Sequence, residues 1–87
     1  MNLGIETENA EYKASTGELK EGIISMGSML NKHKGGLLYF GVKNDGFVIG
    51  QQIGDATLRD ISRTVNQNMK PVPLFVITAL KTDDLCD

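Results

Sequence analysis

The sequence holds no tryptophan, only two tyrosines and three phenylalanines, one cysteine and two prolines. With so few aromatics, a core here has to rest on Ile, Leu, Val and Met. A single cysteine, Cys86, excludes an internal disulfide and fits a reducing compartment. The first twelve residues carry Glu6, Glu8 and Glu11 and no apolar run, so they do not read as a signal peptide. The longest apolar runs, at 36–42 and 72–80, are too short to span a bilayer. A soluble, cytoplasmic protein with no membrane partner is therefore expected. An excess of positive charge is also missing: nine basic residues face eleven acidic ones, a net charge of −2. That excludes a general polycation that coats duplexes by counterion release alone. The acids are unevenly placed, however, with Asp83, Asp84 and Asp87 crowded into the last five positions.

What remains is ordinary globular composition, 40% apolar and 23% charged, in 87 residues. That length holds one small domain with a modest core. Residues 9–13 offer a short extended segment. Across residues 18–31, Leu19, Ile23, Met26 and Leu30 recur at helical spacing, with Glu18 and Glu21 in the first turn after Thr16. Gly22 and Gly27 each cost such a helix about 1 kcal/mol, which points to a close approach by a neighbouring element. Cations and glycines, Lys32-His33-Lys34-Gly35-Gly36, then end it. The dense apolar run at 37–43 reads as a central strand, Asn44-Asp45-Gly46 as a hairpin turn, and 47–51 as the returning strand. A second helix is expected over 57–69, where Leu58, Ile61, Val65 and Met69 keep helical spacing and Thr57 with Asp60 begins it like a capping box. Pro71 stops it, and 73–81 reads as a last strand. The expected fold is α+β, a small mixed sheet of about four strands with two helices in the order β-α-β-β-α-β.

Three stretches in order carry a family resemblance. Glu6-Thr7-Glu8-Asn9-Ala10-Glu11-Tyr12-Lys13 resembles the E-x4-E-[FY]-K opening of Schlafen AlbA-type domains. The segment from Ser28 to Gly36, with its Asn31 and paired glycines, is similar to the family's segment after the first helix. Leu38-Tyr39-Phe40-Gly41-Val42-Lys43-Asn44-Asp45-Gly46-Phe47-Val48-Ile49-Gly50 resembles its hairpin. The resemblance spans residues 5–80. It implies a nucleic-acid-binding module, for DNA or RNA, within a larger transcriptional-regulator-like or ATPase/helicase-related protein, this chain being an N-terminal fragment. In vertebrate relatives the domain cleaves structured RNA with three carboxylates, and Glu6, Glu11 and Asp45 match them. The resemblance thus implies an alternative, a metal-dependent endoribonuclease in which those residues are catalytic and hold a divalent cation, Mg or Mn.

Clustered carboxylates suit a hard cation that activates water. Glu6 and Glu11 are five residues apart, so a continuous strand would send them to opposite faces. They converge only if the chain bends before Asn9. The plainer reading is a solvated Glu6 and a turn aspartate at Asp45. Lys13 could meet a phosphate or simply sit at the surface. Lys32, His33 and Lys34 place three potential cations beside glycine backbone, where phosphate contacts compete with mere helix termination. Arg59 and Arg63 stand one turn apart on the second helix and offer a further phosphate-binding face, diluted by Asp60. Gly36-x4-Gly41 lacks the Gly-Lys-[Ser/Thr] of a phosphate-binding loop. The serines have no evident His–Asp partners. A third class, a dimerisation or protein-interaction module, is favoured by the mildly acidic charge and the short core, and the last strand, 73–81, is apolar on both faces and would leave a sheet edge to be covered. A homodimer is expected on that ground, unless residues 9–13 already pair there.

Overall fold

The computed structural model describes residues 2–80; Lys81, the acidic residues 83–87 and Cys86 lie outside the described residues. Strand β1, Ala10–Lys13, leads through a 3-10 turn, Thr16–Glu18, into helix α1, Leu19–Lys32. Strand β2, Leu37–Phe40, comes next, and helix α2, Asp55–Asn68, comes after a long hairpin-like excursion. The class is mixed α and β with two helices, as the sequence predicts.

Among the described residues the sheet has two strands, where about four were expected. β1 and β2 pair in parallel, Ala10 opposite Leu37 and Lys13 opposite Phe40. A parallel pair needs a crossover, and α1 supplies it. The helix lies close over the face that carries Leu38 and the Lys13 stem. A Cβ built on Gly22 would come within 3.2 Å of the Leu38 methyl groups and 3.4 Å of Lys13 Cγ. Gly22 is therefore the close approach that the sequence suggests, whereas Gly27 meets only Met69 Cε at an ordinary 3.8 Å.

The core lies between the helices. Ile23 of α1 packs with Val65 and Met69 at the end of α2, and Leu19, Met26, Leu30 and Leu38 close around them. Apart from Leu38 of β2, these are apolar positions whose helical spacing defined the two helices. On the far face of the sheet Tyr12 is buried and meets the Tyr39 ring edge-on at 5.7 Å.

Local chemistry sets the helix starts one or two residues from the expected places. Ser15, rather than Thr16, caps the 3-10 turn, its hydroxyl accepting from the Gly17 N–H at 3.1 Å. α2 begins at Asp55 with Gly54 as its cap, two residues before Thr57. The Thr57 hydroxyl accepts from the Gly54 N–H at 3.3 Å, one half of a capping box that glycine has no side chain to complete.

Two expected strands are absent among the described residues. The 37–43 strand ends at Phe40 because Gly41 turns to a φ of +84°. Its N–H and that of Val42 both donate to the Lys13 carbonyl, at 2.8 and 3.1 Å, closing the ladder. The Asn44–Gly46 turn does form: the Gly46 N–H donates to the Lys43 carbonyl at 2.8 Å, with Gly46 at φ +90°. Its arms meet through the Val42–Val48 bridge and through the Lys43 N–H on the Phe47 carbonyl at 2.9 Å. Residues 47–51 do not extend into a strand, because left-handed residues at both ends of the arm break the extended backbone and the chain's start bridges to Phe47. Residues 73–80, expected as the last strand, are irregular. Apolar composition favours a strand only where a neighbour supplies backbone partners, and none among the described residues does.

Candidate functional site

A tight turn just before β1 organises the first group of residues. Thr7 and Ala10 exchange backbone hydrogen bonds at 3.3 Å, and the Thr7 hydroxyl accepts from the Asn9 N–H. The chain thus bends before Asn9, which is the condition for Glu6 and Glu11 to converge. Glu6 folds back so that its Oε2 accepts from the Tyr12 N–H at 2.9 Å, on the edge of β1 away from β2. Burial holds the Glu11 carboxyl above the usual glutamate range. The hydrogen-bonded contact with Glu6 and the charge of Glu6 push it the same way. Lys13 opposes this weakly, its Nζ 3.8 Å from Glu11 Oε1.

The second group comes from the C-terminal half of α1. Ser25, Ser28 and Lys32 stand three and four residues apart on one face, and His33 caps the helix with its N–H on the Met29 carbonyl at 2.7 Å. This face looks across to the turn at 7–10. Between them runs an open cleft of about 430 Å³, with buried Met29 as an apolar patch in its wall. Across it, His33 Nε2 lies 3.5 Å from Glu8 Oε2, an ion pair when the imidazole is protonated.

The residues singled out by sequence therefore divide. Glu6 and Glu11 are brought together, and Glu11, Lys32 and His33 line one cleft. Lys34 is exposed one position beyond. Lys13 is half-buried, with its stem against α1 and its ammonium toward Glu11. Arg59 and Arg63 are exposed on α2, and Arg63 is bonded to Asp60 one turn earlier. Asp45 stands apart from the glutamates. Its Oδ1 accepts from the Phe47 N–H at 3.0 Å, so the carboxylate braces its own turn. Among the described residues no three His, Cys, Asp or Glu gather as a metal site would require. Among the described residues Glu6, Glu11 and Asp45 therefore do not gather into one three-carboxylate cluster.

Glu8, Ser25 and Ser28 belong to the cleft although sequence reasoning did not select them. The serines were findable, since helical spacing puts them on the face of Lys32. Glu8 was not, because only the turn at 7–10 brings it opposite His33.

No helix among the described residues is long and apolar enough to cross a membrane. The family model described as Schlafen, AlbA_2 matches residues 6–85. No curated protein matches the chain, and no solved structure does.

Proposed function

The chain belongs to the Schlafen AlbA_2 family, and on that premise we propose that it is a nucleic-acid-binding module serving a larger transcriptional-regulator-like or ATPase/helicase-related protein. The observation that carries the reading is the convergence of Lys32 and His33 with the Ser25 and Ser28 side chains on one cleft, with Lys34 beside it. Cations and hydroxyls are the groups that hold phosphate oxygens, and contacts of this kind position a strand without reading its bases. Charge complementarity is local here. The chain as a whole is acidic, so binding depends on this patch and on the exposed Arg59 face rather than on bulk charge.

Fluorescence anisotropy with single- and double-stranded DNA and RNA tests this reading. Affinity is expected to fall linearly in log–log form as salt rises. The Lys32→Gln/Lys34→Gln double variant should weaken binding and lower the slope by about 1.5, at roughly 0.7–0.9 per phosphate contact. Absence of salt-dependent binding to all four probes would overturn it.

A second reading, self-association as a homodimer, has its own support. Val72, Leu74, Phe75, Val76, Ile77 and Leu80 all expose large apolar side chains within nine residues, Leu74 entirely. A contiguous run of this kind on a small domain favours a protein partner, and a second copy of the same segment is one through a two-fold contact.

A further inference from the structure

We infer that the Glu8 carboxylate occupies the phosphate position of the α1 cleft in the free protein, and that nucleic acid binds there by displacing Glu8 from His33. This rests on the nucleic-acid reading above and adds to it a built-in competitor.

The geometry is asymmetric. His33 is fixed by its place at the helix end, its N–H on the Met29 carbonyl and its side chain about two-thirds covered. Glu8 sits on the turn at 7–10 with its side chain 85% exposed, so it can leave His33 for water at little cost. A carboxylate and a phosphodiester each bring one negative charge and acceptor oxygens, and both suit the same cation. They cannot share it, because two like charges within a few ångströms repel. The other charged groups facing the cleft are Lys32 and Glu11. Lys32 favours either anion. Glu11 is held by its place in the paired strand β1 and by its contact with Lys13, so it stays when Glu8 moves. Glu8 is thus the one acid of the cleft that a strand can turn out of the way. Its effect is to raise the threshold for weakly held anions and to leave the site open to a ligand that engages Lys32 and His33 together.

A double-mutant cycle on the whole chain, in mildly acidic buffer, tests this. The probe is whichever of the four oligonucleotides binds. Glu8→Gln is expected to tighten binding about threefold, the size of an exposed ion pair. In a His33→Gln background the same change should lose most of that gain, because the partner that Glu8 pairs with is already gone. An equal gain in both backgrounds would mean that Glu8 acts through general charge alone, and would overturn the inference while leaving the nucleic-acid reading intact. Failure of every probe to bind either the parent chain or Glu8→Gln would remove that reading and this inference with it. A readout independent of ligand is the nuclear magnetic resonance signal of the His33 ring in the free protein. It should move on Glu8→Gln, and an unmoved ring would show that the pair is not made.

Discussion

Gln51 is bonded twice to Thr16. Its Oε1 accepts from the Thr16 N–H at 2.9 Å, and its Nε2 donates to the Thr16 hydroxyl at 2.8 Å. This pair ties the turn that starts α1 to the segment after the hairpin, 35 positions later. Gln51→Ala leaves a part-buried donor and acceptor without partners and is expected to cost about 1–2 kcal/mol. Gln51→Glu should cost less, since a carboxylate still accepts from the N–H and the hydroxyl can rotate to donate. Urea unfolding of the two variants decides it, and equal losses would show that the bond from the Thr16 N–H contributes nothing.

Gly46 is the tightest backbone contact of the hairpin. It has a φ of +90°, and a Cβ there would overlap the Gly4 carbonyl oxygen. Gly46→Ala is expected to destabilise by about 3 kcal/mol or to detach the chain's start from the turn. Gly50 has a similar φ of +79° but open space around its Cβ position. Gly50→Ala should therefore cost only the left-handed conformation, about 1–2 kcal/mol. Similar losses at both positions in thermal unfolding would mean that the Gly4 contact is not made.

Glu11 sets a pH dependence whose sign is fixed by its surroundings. Burial and then the neighbouring Glu6 raise its folded-state pKa above the ordinary glutamate value. Between those two values the folded chain binds more protons than the unfolded chain, so stability falls as pH rises through that window. Below it both states are protonated and the residue contributes nothing; above it the full penalty remains. Glu11→Gln should match the parent in acid and be modestly more stable at neutral pH, the gain reduced by solvent screening and by the lost Lys13 contact. Melting curves from about pH 3 to pH 8 test this. A variant less stable than the parent at neutral pH would reverse the assignment.

Leu74 and Val76 are the most exposed members of the apolar run at 72–80. Light scattering at micromolar concentration is expected to show species heavier than the 9.5 kDa chain. Leu74→Glu/Val76→Glu should return it to a monomer, because charges placed in an apolar contact oppose its burial. A parent chain that runs as a clean monomer would remove the dimer reading.

The helices were legible because a helix makes its hydrogen bonds within itself, so periodicity alone declares its buried face. Ile23, Met26 and Leu30 in α1, and Val65 with Met69 beyond α2, lie in the core where their spacing put them. The Asn44–Gly46 turn was equally local, and so was the clustering of cations at the end of α1. The strand segments behaved differently. Residues 73–80 carry the composition of a central strand and form none, since a strand is completed by partners that its own residues do not specify.

The candidate site divides along the same line. The sequence by itself determined which residues bear charge, that Ser25, Ser28 and Lys32 share a helix face, and that the Glu6–Lys13 and hairpin motifs belong to one family. The local bend at 7–10, which the sequence left open, turns Glu6 back toward β1, and tertiary structure alone decided that Glu8 meets His33 and that Asp45, braced in its own turn, does not join the glutamates. The physical reason is range: helix faces and turns are set by neighbours three or four positions apart. Whether side chains 25 or more positions apart meet depends on where the parallel pairing of β1 with β2 sets the chain's start against the end of α1.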